Sequence, residues 1–192
     1  MQATHVLQQQ FQRVHLIFHM LCDDLTDAEW IKHALPNTNL LPFELWHVAR
    51  VQDCVVQTII RGAPEVIADA QWANCGTLAT PGIGVGLMLK QADSLAQGLA
   101  RSDLKAYADA VHQVIIAWLG TISDDDLDQV PDVVAHLAPY PVYQERALRE
   151  TGPWLFEGPS VCELLSRACI GHNRGHFGEV DVLIQQLRRP TE

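Results

Sequence analysis

The chain has 192 residues, of which 48% are apolar and 19% charged, the mixture of a folded globule rather than of a disordered chain. Its 13 basic residues stand against 23 acidic ones, a net charge of -10 with histidine neutral. Apart from Arg188-Arg189 the basic residues are scattered, which excludes a duplex-binding or anionic-membrane surface, since both need clustered Lys and Arg.

The length suits one domain over residues 1–192. No apolar run approaches the roughly 20 residues that span a bilayer. The start, Met1 to Gln12, lacks a charged-then-apolar export pattern, so a cytoplasmic location is expected. The first helix is predicted from Thr4 to Cys22, where Val6, Phe11, Val14, Phe18 and Leu21 recur at helical spacing. Thr26 and Glu29 have the spacing of a capping box, with Trp30 inside the short helix it would start. A second long helix is predicted to begin near Pro42 and to run through Leu45, Val48, Val51, Val55, Ile59 and Ile60. Gly62 and Pro64 stop it.

Residues 63–86 contain "NCGTLATPGIGVG" and read as a long irregular connection, either the wall or lid of a site or a plain crossover. A short helix is expected over 87–99. Ser102 reads as the N-cap of a third long helix, Asp103 to Ile122, with Leu104, Tyr107, Val111, Val114, Ile115 and Trp118 as its apolar stripe. Ser123 to Asp126 is read as capping one further turn. The stretch 130–159 holds five prolines and reads mostly as loop. Ser160-Val-Cys-Glu163 is a capping box after Pro159, and the last helix follows through Leu164, Leu165, Ala168, Val180, Leu183, Ile184 and Leu187 to Pro190. There is no strand-like alternation and no internal repeat. Four long helices with long crossover loops predict an all-α four-helix bundle.

Five cysteines, at positions 22, 54, 75, 162 and 169, include no C-x-x-C pair, so neither a zinc ribbon nor a redox motif is supported. Nine histidines remain to be sorted. A metal site on helices wants histidines at i and i+4, which project from one face. Two pairs fit: His15/His19 and His172/His176. The second is favoured, because Gly171 and Gly175 flank it in "GHNRGHFGEVD". Glycine inside a helix costs about 0.5–1 kcal/mol relative to alanine and so asks for a reason, such as a close approach. Glu179, three residues past His176, is placed to accept an N–H from a ligand imidazole. His15 and His19, in "HLIFH", sit among core-type residues and read as half-buried or surface histidines.

A third ligand must come from another helix, and His47 is the best placed, although a hydrogen-bonded core histidine fits the same position equally well. His5, His33, His112 and His136 have no partner at ligand spacing. Cys54 and Cys169 are placed to share a face with His47 and His172, either as a fourth ligand or as core packing. Arg50 reads as a grip on a substrate carboxylate or as a surface ion pair. Asp53, six residues past His47, lies about 240° around the helix and is not expected to face a metal.

Three segments, "LPFELWHVARVQD", "VIIAWLGTISDDDLDQV" and "PSVCELLSRACIGHNRGHFGEVDVLIQQL", occur in an order that resembles the DinB-like superfamily, which includes thiol-dependent transferases and mycothiol-dependent maleylpyruvate isomerases. They cover about a third of the chain. The resemblance implies a four-helix bundle and a divalent metal, commonly nickel or zinc, held by one histidine of the second long helix and the H-x-x-x-H pair of the last. In this sequence these are His47, His172 and His176. Three neutral imidazoles leave a divalent ion electrophilic and its shell open. The activity implied is transfer of, or isomerisation by, a low-molecular-weight thiol co-substrate whose thiolate attacks a small electrophile. No side chain is singled out as catalytic beyond a metal-bound thiol or water, with Glu179 and Arg50 as supporting candidates. Three imidazoles suit zinc, nickel, copper and iron alike. The competing reading is a non-enzymatic, metal-binding helical module of a stress response. Leftover apolar helix faces are compatible with a homodimer. The 130–159 connection carries no motif that identifies a substrate.

Overall fold

The computed structural model describes residues 2–144 and 156–189. Helix α1 spans Ala3–Asp24, a short α2 spans Asp27–Trp30, and α3 spans Leu41–Asp53 and continues as a π-helix over Cys54–Ile60. Helices α4 (Leu89–Gln97), α5 (Arg101–Leu119) and α6 (Val133–Leu137) follow. The last long helix starts as α7 (Val161–Leu164), widens into a π-helix over Leu165–Gly171, and finishes as α8 (His172–Leu187). No strand occurs among the described residues. The four long helices pack as a bundle, α1 against α5 and α8, and α3 against α5 and α8. The expected all-α bundle is therefore the fold.

The core is built from the predicted stripes. Phe11, Val14, Phe18 and Cys22 are buried on α1, Leu104, Tyr107, Val111 and Ile115 on α5, and Val180 and Ile184 on α8. Both predicted capping boxes form: Thr26 with Glu29, and Ser160 with Glu163. Ser123 and Asp126 also cap each other reciprocally, ahead of the 3₁₀ turn Asp125–Asp128. The start of α5 departs from expectation. It begins at Arg101 after an uncapped Ala100, with Ser102 already inside the first turn. Arg101 lies over the Trp30 ring at 4.7 Å and pairs with Asp27 at 3.2 Å. These contacts to α2 fix the helix start where a local cap would have set it later.

The helix ends are satisfied by distant side chains. Asp124 accepts hydrogen bonds from the N–H groups of Ala3 and Thr4 at 3.0 and 3.1 Å, closing the start of α1 from the far end of α5. His136 of α6 packs its Nδ1 2.8 Å from the Ile59 carbonyl at the end of the long second helix. There Gly62 turns the chain at φ +60, and a Cβ would meet the His136 ring at 2.8 Å. The predicted 130–159 loop thus contains one short helix, α6, and a 3₁₀ turn at Pro141–Gln144; its stretch 145–155 lies outside the described residues.

Candidate metal centre

One stripe of α3 holds the 63–86 connection. Phe43, Trp46, His47 and Arg50 fall at i, i+3, i+4 and i+7, the spacing of a single helix face. Trp46 Nε1 donates to the Leu78 carbonyl at 2.9 Å and Arg50 Nε to the Gly82 carbonyl at 3.1 Å. His47 Nδ1 lies 2.5 Å from the Ile83 carbonyl. Gly84 passes so close that a Cβ would meet Phe43 Cζ and Trp46 Cζ3 at 2.9 Å, and its φ of +86 is one that L side chains rarely adopt. The connection is thereby a wall of the site and not a plain crossover.

The Ile83 carbonyl can only accept, so His47 carries its proton on Nδ1 and presents a lone pair at Nε2. That atom lies 3.3 Å from His172 Nε2, which in turn lies 3.1 Å from His176 Nε2. His176 Nδ1 sits between two carboxylates, Glu44 at 2.9 Å and Glu179 at 3.0 Å. Neither is aligned with the ring N–H well enough to form a hydrogen bond, so the contact is one of charge with the ring. It still favours the proton on Nδ1 and the lone pair on Nε2. Three imidazole nitrogens therefore converge, two of them with lone pairs fixed toward the others. Without a metal ion, that repulsion is relieved only by a proton on His172 Nε2 or on His176 Nε2, and for one neighbour at a time.

The arrangement fits a metal ion. Zinc–nitrogen bonds of about 2.0–2.1 Å at tetrahedral angles separate ligand nitrogens by roughly 3.3 Å, close to the observed spacings. His47, His172 and His176 form a group that could hold a metal ion. Burial pushes the His47 pKa down to about 4. Burial, then the neighbouring His176, lowers that of His172. His176 is raised instead, first by Glu44. Glu44 itself is held below the usual carboxylate range, because its contacts with His176 and Asn39 outweigh the effect of its burial.

The pair on α8 is held in place by its neighbour. Asn173 is buried, and its Nδ2 donates to the Val48 carbonyl of α3 at 3.5 Å. Beside the rings lies a cavity of about 310 Å³, lined by His47 and His172 together with Val51, Ile83, Val85, Phe156 and Leu164. Glu163 and Arg167 also line it.

The structure separates the other candidates. Glu179 stands 3.0 Å from His176 Nδ1, in an ion-pair contact and not in the hydrogen bond expected of it. Arg50 takes neither of its expected roles. It is 2% exposed, and its Nη1 donates to Tyr107 Oη at 3.0 Å and to Asp53 at 3.2 Å, while its Nη2 meets Glu65 at 2.5 Å. It is tied to the metal centre only through the loop, where its Gly82 contact is next to the Ile83 carbonyl. Asp53 points away from the rings, accepting from the N–H groups of Val66 and Ile67. Cys54 and Cys169 are buried thiols outside the histidine group, and burial pushes both pKa values up. The π-helix explains Cys169: it turns fewer degrees per residue than an α-helix, so counting back from His172 at α-helical spacing misplaces the preceding face.

Glu44 was missed by sequence reasoning. Its only signal was its place three residues before His47, a same-face spacing on α3. Ile83 and Val85 were signalled only through the 63–86 connection as a whole, and Phe156 had no signal, since they reach the site through loops.

The sequence profile of the DinB superfamily matches residues 10–156. The match holds His47 and stops before α7, so the part played by His172 and His176 rests on the geometry. No curated protein matches the chain. With the matched stretch covering most of the chain and the described residues forming an all-α bundle, the chain belongs to the DinB superfamily.

Proposed function

We propose that the protein is a metal-dependent thiol S-transferase or related isomerase, with zinc or nickel held by His47, His172 and His176. The observation that carries this reading is the convergence of three imidazole nitrogens beside an apolar cavity. A divalent ion held by three neutral imidazoles keeps its full charge and open positions, which favours a thiolate over a thiol at its side.

The chain's own residues prepare that chemistry. The Ile83 carbonyl and the Glu44 and Glu179 carboxylates fix ring orientation and tautomer, the task of outer contacts in metal centres. Val51, Val85, Phe156 and Leu164 exclude water from the place where a small electrophile would lie. Arg167 is the one Arg or Lys among the described residues lining this cavity. It suits an anionic group on either the thiol or the electrophile.

Untagged protein should carry close to one zinc or nickel ion per chain at the triad, and His176→Ala should lose that ion. Equal metal content in the two proteins would overturn the assignment. Turnover of a bacterial thiol with monobromobimane, abolished by chelator, would support the transferase. Metal-induced thermal stabilisation with no turnover across a thiol panel would instead support a non-enzymatic metal-binding module.

A further inference from the structure

A second histidine cluster lies on the other long-helix pair. His15 and His19 are one turn apart on α1, and Asp109 comes from α5, which packs against it. Asp109 Oδ1 lies 2.9 Å from His15 Nε2 and 2.8 Å from His19 Nε2. Both imidazoles thus aim the same nitrogen at one carboxylate oxygen, that of His19 in a hydrogen bond which a bound ion would replace. His112, three residues after Asp109, stacks on the His15 ring with centroids 4.1 Å apart and planes 1° from parallel.

We propose that His15, His19 and Asp109 form a second divalent-metal site, independent of the first, which clips α1 to α5. Two imidazoles and one carboxylate are a donor set for zinc, iron(II) or cobalt(II). Zinc bonds of about 2.0–2.2 Å at tetrahedral angles place neighbouring ligand atoms roughly 3.3–3.6 Å apart, so the two histidine–carboxylate spacings would open by about half an ångström on binding. The three ligand atoms lie within 4.8 Å of one another. Asp109 is 45% exposed at its side chain, so water can complete the shell. The cluster shares no residue with the triad. One ligand pair is local, at i and i+4, and the third ligand is remote, so a bound ion would cross-link two packed helices and stabilise the fold by mass action.

Untagged protein dialysed against zinc alone, then analysed for metal per chain, tests this. Wild type should hold one more zinc than the double variant His15→Gln/His19→Gln, and one more than Asp109→Ala. Asp109 is a partly exposed surface position, so its variant keeps the test usable if the double variant misfolds. Zinc should also raise the Tm of the wild type by more than that of either variant. The same zinc content and the same Tm rise in wild type and folded variants would overturn the proposal. The first site is read separately: His47→Ala/His172→Ala should keep the α1–α5 zinc. If the triad binds nothing, the wild type would carry a single zinc, and the α1 variant would lose it.

Discussion

Helix α3 carries two polar clusters less than one turn apart, and they are opposites. Around His47, imidazole nitrogens face one another beside a cavity, with lone pairs that no protein donor fully satisfies. Around Arg50, every group is sealed and answered. The guanidinium meets Asp53, Glu65, Tyr107 and the Gly82 carbonyl, while Tyr143 donates to Glu65 at 2.5 Å and Tyr107 to Asp53 at 2.7 Å. The first cluster is left short of positive charge; the second supplies its own. A buried ion network with its partners complete is a device for fixing structure, whereas convergent acceptors without a donor are a request for a cation.

The largest effect should come from the closed cluster. Arg50→Ala leaves Asp53 and Glu65 as buried carboxylates without their cation, and breaking such a network costs about 3–5 kcal/mol. Urea unfolding of the metal-free protein checks this. A loss below about 1 kcal/mol, the range of an exposed pair, would break the comparison by showing that the network is not a structural bolt. His47→Ala should behave in the opposite way. It should abolish metal loading at the triad, a larger loss than the 10–100-fold typical of outer contacts, and cost the metal-free fold only the His47–Ile83 contact, about 1–2 kcal/mol at neutral pH.

The same variant has a pH signature. The His47 pKa falls from 6.5 in the unfolded chain to about 4 in the folded one. Between those values the unfolded state binds the proton and the folded state does not, so stability declines as pH falls from about 6.5 toward 4. His112 falls to about 4 as well and so keeps part of this slope; His47→Ala should make that part of the profile shallower, as read by denaturant midpoints across the window. An unchanged slope would mean that His47 is not held neutral.

How far this division was legible depends on where each contact comes from. The helices were readable because their signals are local: the Ser160–Glu163 box, the Pro42 start, and the stripes on α1 and α5. The i, i+4 pair at His172 and His176 was readable for the same reason. Arg50 was not. Its surroundings exist only once residues 63–86 fold back on the stripe of Phe43, Trp46, His47 and Arg50, and no local rule places a loop that long. The partner of His47 Nδ1, the Ile83 carbonyl, depends on the same event. Cys169 was misplaced because its helix changes pitch between Leu165 and Gly171.

A smaller effect sharpens the open cluster. Glu44→Gln removes the first cause of the raised His176 pKa. A protonated His176 cannot offer Nε2 to a metal, so affinity falls as pH drops through that pKa. The variant should bind metal about 10–100-fold more weakly at neutral pH, and the pH below which its affinity begins to fall should move lower. Zinc titrations at several pH values check both. A weaker affinity with an unmoved pH onset would assign Glu44 to ring orientation alone.

The smallest effect concerns the glycines beside the pair. Gly171 and Gly175 were expected to answer the close approach of another element or of a ligand, and among the described residues no protein atom lies within 4 Å of where a Gly175 Cβ would stand. Its φ is not in the left-handed region, so alanine should fit. Gly175→Ala should therefore stabilise the metal-free protein by about 0.5–1 kcal/mol through helix propensity, with metal content unchanged. A destabilisation would show that the open space next to His176 is needed by something that packs there in solution, and the open cluster would then extend along α8 beyond its three rings.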